Sequence, residues 1–355
     1  MIGVISIEEF NKVKNTPMLF ILGKERSGTT LLQTLLDTHP NIVGPPESKF
    51  VLLLYPRFGT IKRWSENDIL CFIEELYKEP WISTIWKPNR ELLTSNLLAI
   101  REQANYSSIC KLVYYSMRGN KKNILWLSDK NPVYALFVNP LLKIFPEAKF
   151  IHLVREPKDN VYSHLKSFGV KNTRFIAQKW LAYNDILLKC KKQFSQKFFT
   201  LLYENMVGNP ETSMKELCKF LPIPYDDKMI HNSFPERLES FGSEKLVMDR
   251  VQEVHSNLLK PVNTSNIGKW KAGMSPEEVK IVEAITGKFA AENFNYELSE
   301  DTKTPFLMRL GIAKTKVIYY VWQMFTRAKY KSYGFNMLYT KLNISLGRET
   351  GILGK

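Results

Sequence analysis

Short apolar runs recur along the chain, and most give way to a helical spacing of apolar positions. The run PMLFILG (17–23) ends in a glycine and is followed by LLQTLLD (31–37), whose leucines return at intervals of three and four. ILWLSDK (124–130) is a second run. KFIHLVRE (149–156) is a third and precedes a helical pattern from about Asp159. KFFTLLYENM (197–206) is a fourth and precedes the helical ETSMKELCKFL (211–221). Continuous apolar runs of this length read as strands buried on both faces. Their alternation with helices predicts an α/β fold with a mostly parallel sheet flanked by helices. Such sheets bind ligands at the carboxyl ends of their strands, where the polar residues discussed below fall. The stretch from about 50 to 120, rich in Trp and Leu, is longer than a simple crossover and predicts helices that cap the site. Residues 1–300 contain no internal repeat or low-complexity linker and are expected to form one domain, with 301–355 as a helical extension.

Composition narrows the class. Of 355 residues, 44% are hydrophobic and 24% charged, as in a soluble globular chain. No stretch approaches the ~18 uncharged apolar residues of a transmembrane helix. The start, MIGVISIEEFNKVKNTP, has no basic segment leading into an apolar one, so no secretory signal is expected. The expected location is cytoplasmic, or peripheral at the inner membrane surface. Cys71, Cys110, Cys190 and Cys218 show neither CxxC nor metal-ligand spacing and are expected as free thiols.

The net charge of +15 favours acidic ligands. The excess is uneven: residues 301–355 hold ten Lys/Arg against only Asp301 and Glu349. In that tail KTKVIYYVWQMFTRAKYKSYGFNMLYTK (314–341) interleaves aromatic and basic residues. It reads either as a helix packed on the domain with a solvated basic face, or as an extension that binds a membrane surface or a polyanion.

The stretch FILGKERSGTTLLQTLLDTHP (20–40) carries the main chemical signal. Gly23 and Gly28 have the spacing of a phosphate-binding loop, GxxxxG. Strand, tight loop and helix start together present backbone N–H groups and a positive dipole end to an anion. Thr29 and Thr30 add hydroxyls. Thr29 stands where a triphosphate-binding P-loop has its Lys, and the cation moves inside the loop, to Arg26 or Lys24. That suits a terminal phosphate carrying a leaving-group charge rather than a triphosphate with its metal.

The extended motif RSGTTLLQTLLDTHPNI resembles the 5′-phosphosulfate loop of sulfotransferases that use 3′-phosphoadenosine 5′-phosphosulfate (PAPS). VREPKDNVYSHL (154–165) resembles their 3′-phosphate motif. The similarity is to the tyrosylprotein sulfotransferase type and its bacterial relatives: LDTHPNIVGPPESKF matches the segment of their catalytic Glu, DKNP (129–132) their Lys-containing turn, LLYENMVGNPETSMKELCKFL a later strand–helix unit, and KPVNTSNIGKW (260–270) a late nucleotide-binding loop. It covers roughly residues 17–295. It implies a P-loop-like fold, PAPS as co-substrate with PAP as product, no metal, and a hydroxyl-bearing acceptor. Nucleic acid is not an expected partner. A homodimer is compatible with the pattern, which leaves the oligomeric state open.

The resemblance implies that Arg26, Ser27, Gly28, Thr29 and Thr30 hold the 5′ phosphosulfate and that Arg155 and Ser163 hold the 3′-phosphate. Arg155 closes an apolar strand, and its planar fork suits a phosphate monoester. Ser163 lies about two turns into the next helix. Glu47, stiffened by Pro45 and Pro46, takes the role of base; an in-line acceptor hydroxyl needs one. Lys130 and Arg26 meet the charge that grows on the leaving side. Lys269 and Trp270 close over the 3′-phosphate or the adenine. Tyr203 ends its strand, either lining the cleft or packing in the core. Pro46 stands where the tyrosylprotein type has a second acidic residue, and Lys49 keeps the basic character. Of the histidines, His39 reads as structural at a helix end, His152 as packed within a strand, and His164 as pointing away from Ser163. His231 and His255 have no partner at metal spacing, so no metal is assigned.

The leading expectation is a PAPS-dependent sulfotransferase acting on a carbohydrate or glycolipid hydroxyl, with a tyrosine in protein as the alternative acceptor. A P-loop kinase would need the missing Lys and a magnesium carboxylate, for which Asp129 is the only near candidate. A non-catalytic polyanion- or membrane-binding protein would rest on the basic tail alone.

Overall fold

The computed structural model describes residues 3–168, 172–231, 261–297 and 305–345. His255, Lys260 at the head of the late loop, and 346–355 of the tail lie outside the described residues.

Five parallel strands, β1 (Met18–Leu22), β2 (Ile42–Val43), β3 (Trp126–Lys130), β4 (Lys149–Val154) and β5 (Phe198–Leu202), form one sheet in the order β2-β3-β1-β4-β5. All five positions of β1 are buried, as a central strand covered on both faces requires. Alternation divides its side chains: Met18, Phe20 and Leu22 join the larger core cluster, and Leu19 and Ile21 join the other. Phe20, Phe150 and Phe198 stack across three adjacent strands, with centroids 5.6 and 4.9 Å apart. β2 is invisible as a run because it has only two residues.

The expected strand 197–206 is too long. β5 stops at Leu202, and Tyr203–Gly208 is helical. Tyr203, Met206 and Val207 are spaced for one helix face and are buried together in the second cluster, so the 3.6-residue period wins there. Lys130 closes β3, at the end of the strand expected over 124–130, which itself begins two residues later, at Trp126.

Residues 50–120 form four α-helices, Phe50–Phe58, Glu66–Tyr77, Arg90–Ile100 and Tyr106–Tyr115, with shorter π- and 3₁₀-turns between them. Ser65 with Asp68, and Asn105 with Ser108, make reciprocal capping boxes that fix two of their starts. Their apolar faces pack in the cluster that holds Phe20.

Beyond the sheet, the helix Phe306–Lys331 lies along the helix Thr173–Gln193. Phe175 meets Tyr319 and Trp322 at 6.0 and 5.9 Å. A further helix, Tyr333–Ser345, follows. The four cysteines are free. No helix among the described residues is long and apolar enough to cross a membrane.

Candidate active site

The loop 23–28 joins the end of β1 to the helix Thr29–Asp37. Gly23 is required because a Cβ there would collide with the Leu153 carbonyl of the adjacent β4. Gly28 caps the helix at φ 92°, a left-handed conformation that other residues adopt at a cost. No side chain caps this helix and no acidic residue lies in its first turn, so its leading N–H groups and dipole are free to meet an anion. Thr29 is buried and Thr30 half-buried at that start.

Arg155, just past β4, faces this loop. Its Nη1 donates to the Arg26 carbonyl at 3.0 Å and its Nη2 to the Asn266 carbonyl at 2.6 Å. Its Nε is buried without a partner among the described residues. Arg26 in turn donates from Nε to the Ser163 hydroxyl at 3.1 Å. Thus the 23–28 loop and the 154–165 segment, more than 120 residues apart in sequence, form one network. Burial, with the Arg155 charge beside it, lowers the Arg26 pKa to about 10. Two guanidiniums held together repel one another, which an anion between them would relieve.

Three further groups shape the loop, and sequence reading did not single them out. The Asn160 amide donates to the Glu25 carbonyl and to the Ser27 hydroxyl, both at 3.0 Å. The carboxylate of Asp159 accepts from the backbone N–H groups of Gly268 (2.6 Å) and Trp270 (3.1 Å), which ties the late loop to the helix Pro157–Phe168. Lys179 pairs with Glu25. The signal for the first two was their place in the turn after Arg155, within the motif already quoted.

Lys24 is fully buried, with Nζ 3.1 Å from His164 Nδ1 and 3.5 Å from a Glu25 carboxylate oxygen. His164, read as pointing away from Ser163, faces Lys24 of the loop. Spacing on its helix separates it from Ser163, but the buried Lys24 reaches across to it. Burial lowers Lys24 to about 7, against the pull of Glu25 and with a further push from Lys179 and Arg26. Burial and the Lys24 charge hold His164 down at about 3. His39 bonds the Pro224 carbonyl at 2.9 Å and His152 the Asn184 amide oxygen at 2.8 Å, so both are structural.

On the other side of β1, Lys130 donates from Nζ to Glu47 Oε2 at 2.7 Å, and Lys49 lies 4.0 Å from Oε1. Burial alone would raise the Glu47 pKa, but the charges of Lys130 and Lys49 outweigh it and hold the carboxyl below its usual value. Asp129, one residue before, is bound by the Tyr114 hydroxyl and the Asn131 amide. Burial raises it to about 7 against those hydrogen bonds. Asn131 also donates to the Ser48 carbonyl at 2.7 Å and so fixes the segment that carries Glu47. Asp129 is thus committed to packing interactions.

Tyr203 is buried in the second core cluster and also packs against the loop. Its ring fills the space beside Gly28, and the Arg155 guanidinium carbon lies 4.6 Å from its centre. Trp270 covers the Lys158 ammonium at 4.3 Å, and exposed Lys269 reaches Asn266 Oδ1 at 2.7 Å. Glu47 and Lys130, the phosphate loop, and Arg155 with its partners therefore line the carboxyl ends of β3, β1 and β4. No group of three His, Cys, Asp or Glu among the described residues could hold a metal ion.

Residues 17–227 match the model of the Sulfotransferase family. The chain belongs to that family. Among curated relatives, this sulfotransferase is 26% identical over 274 residues to protein-tyrosine sulfotransferase 1 of Danio rerio, covering 75% of the chain and 69% of the relative. It is 25% identical over 274 residues to protein-tyrosine sulfotransferase A of Caenorhabditis elegans, covering 75% and 64%. It spans about half of the Drosophila melanogaster relative, 49%. Among solved structures, the sulfotransferase domain of the Synechococcus PCC 7002 olefin synthase superposes with a TM-score of 0.51 at 20% identity, over 80% of this chain and 96% of that one. That likeness confirms the parallel α/β fold of the sulfotransferase.

Proposed function

We propose that this sulfotransferase moves the sulfuryl group of PAPS to a tyrosyl hydroxyl, releasing PAP. The observation that carries the reading is the Glu47–Lys130 pair set beside a phosphate loop whose Arg26 is joined to Arg155 and Ser163. In this reading the 5′ end rests on Arg26, Ser27, Gly28, Thr29 and Thr30. The 3′-phosphate takes Arg155, whose Nε has no other described partner, and Ser163. Lys269 and Trp270, anchored through Asp159, close over the nucleotide.

In the transfer, a bond forms between the acceptor oxygen and sulfur while the bond from sulfur to the 5′-phosphate oxygen breaks. The acceptor proton passes to the Glu47 carboxylate. The electron pair of the broken bond stays on the phosphate oxygen of PAP, where Lys130 and Arg26 meet the growing charge. The Glu47–Lys130 ion pair couples these events. As Lys130 turns to the leaving oxygen, Glu47 loses the charge that holds its pKa down and becomes a stronger base.

A phenol suits this base. Glu47 rests below the usual carboxylate range, and a tyrosine hydroxyl, with a pKa near ~10, releases its proton more readily than a sugar alcohol. The names of the curated relatives support the same acceptor and favour it over the carbohydrate or glycolipid expected from sequence. Radiolabelled PAPS supplied with a single-tyrosine peptide, its phenylalanine counterpart, oligosaccharides and glycolipids tests it. Label is expected in the tyrosine peptide alone. Label confined to sugar or glycolipid overturns the acceptor, and no transfer from PAPS to any hydroxyl overturns the donor.

A further inference from the structure

The helix Phe306–Lys331 turns one face to the domain, and the described residues leave its apolar opposite face uncovered. Thr315, Tyr319, Gln323 and Tyr330 are buried against the domain. On the opposite side Leu307, Leu310, Val317, Val321, Met324 and Phe325 are exposed, Leu307 at 79% and Met324 at 71%. At 100° per residue these six fall within an arc of about 100°. The helix has 26 residues, and from Leu307 to Phe325 the arc runs along about 27 Å of it. A surface helix of a soluble domain normally turns polar residues outward, and apolar patches of this extent mark an interaction surface.

Charge identifies what covers it. Exposed Arg309, Lys316 and Arg327 share one flank of the arc. Lys314 lies within the arc, and its stem is long enough to carry the ammonium clear of an apolar layer. No Asp or Glu occurs from Pro305 to Ser345. A second copy of this chain would bring the same positive rim against itself. A soluble polyanion would satisfy the cations and leave the apolar arc in water. A surface that is apolar within and anionic at its rim answers both. The helix does not qualify as a membrane span.

We propose that the 306–331 helix lies in the plane of an anionic lipid bilayer surface, with the Leu307–Phe325 arc immersed in the interface and Arg309, Lys316 and Arg327 on the headgroups. The covered face reaches the active site from behind. Trp322 holds the Lys179 ammonium at 4.7 Å, and Lys179 pairs with Glu25 of the phosphate loop. Near the other end Tyr330 meets Tyr134 at 6.4 Å, within the electrostatic reach of Glu47. Docking thus places the enzyme at the bilayer surface, whatever its acceptor.

The test is flotation of the full chain with vesicles of phosphatidylcholine alone or mixed equally with phosphatidylglycerol. Wild type is expected to float with the anionic vesicles and to be released by high salt. Val321→Glu combined with Met324→Glu should lower the partition coefficient about tenfold or more, with PAP affinity and melting temperature unchanged. Arg309→Glu with Lys316→Glu should weaken anionic binding while the apolar arc stays intact, which keeps the test decisive if the first pair disturbs folding. Three outcomes overturn the proposal: a folded wild type that stays soluble with anionic vesicles, variants that float as wild type does, or a wild-type dimer that Val321→Glu with Met324→Glu splits while vesicles leave both unbound.

Discussion

Arg155 lies with its guanidinium carbon 4.6 Å from the ring centre of Tyr203, and that ring fills the space a side chain on Gly28 would need. One aromatic ring therefore sets both the shape of the phosphate loop and the position of the arginine that faces it. A Cβ on Gly28 would come within 2.5 Å of the ring.

Gly28→Ala should therefore damage the proposed nucleotide site twice. The left-handed backbone costs about 1–2 kcal/mol with a side chain, and the displaced ring releases Arg155. We expect a lower melting temperature and at least about a tenfold loss of PAP affinity, roughly 1.4 kcal/mol. Adding Tyr203→Ala should relieve the clash and recover part of the melting temperature, but not the affinity. Calorimetry that finds Gly28→Ala binding PAP like wild type would refute this account of the loop.

Arg155→Ala removes two backbone hydrogen bonds and, in the proposed complex, one or two charge-assisted bonds to phosphate. At roughly 1.5–3 kcal/mol for each charged bond, PAP affinity should fall by about 2–4 kcal/mol. Arg155→Lys should recover little, because one ammonium cannot span the Arg26 and Asn266 carbonyls and still reach the ligand. An alanine variant with undiminished affinity, measured by titration calorimetry, would show that the arginine only braces the loop.

Glu47→Gln should leave PAP affinity near wild type and lower kcat by about 10²–10⁴, the usual worth of a positioned base. The pH profile reports its partner. The folded pKa of Glu47 is depressed by Lys130 and Lys49, so the carboxylate stays ionised until the pH falls below the usual carboxylate range. The acid limb of kcat/KM should therefore lie low. Lys130→Met removes the main opposing charge and leaves burial, which raises the pKa; the limb should move to higher pH while kcat falls. An acid limb that does not move would dissociate Glu47 from catalysis.

Much of the candidate site was legible in the chain because its pieces are local. The GxxxxG spacing, the strand-ending Arg155 and the Ser163 two turns later all lie in short continuous segments, and the fold brings them together. Four strands were legible because each carries a short apolar stretch in the continuous sequence, although β3 ends in Ser-Asp-Lys and the edge strand β5 is only partly buried. β2 was not, being two residues long. Tyr203 was misplaced at a strand end because Leu-Leu-Tyr continues the apolar run, and only its packing with Met206 and Val207 reveals the helix. The contact between Lys24 and His164 was hidden: the two are 140 residues apart, and no periodicity reports a contact of that range.

That buried Lys24 should make stability depend on pH in a window of its own. Its pKa falls from 10.5 to about 7, first through burial, then through Lys179 and Arg26, with Glu25 opposing and neutral His164 facing its Nζ. Between about pH 7 and 10.5 the unfolded chain holds one proton that the folded chain does not, so this contribution to stability rises with pH there. Below pH 7 both states are charged, and the cost of burying the ammonium is felt in full. His164, lowered to about 3, titrates below the window. Lys329, lowered to about 8, titrates within it, but its contribution cancels when wild type is compared with Lys24→Met. The stability difference, wild type minus variant, should rise with pH between 7 and 9 by at most about 1.4 kcal/mol per unit. An anionic nucleotide on the loop should restore the ammonium, so PAP binding near pH 8 should take up a fraction of a proton in wild type and none in Lys24→Met. Calorimetry in buffers of different ionisation enthalpy measures that uptake. Parallel stability curves together with equal uptake in both proteins would mean that Lys24 stays charged in its buried site at every pH in the window.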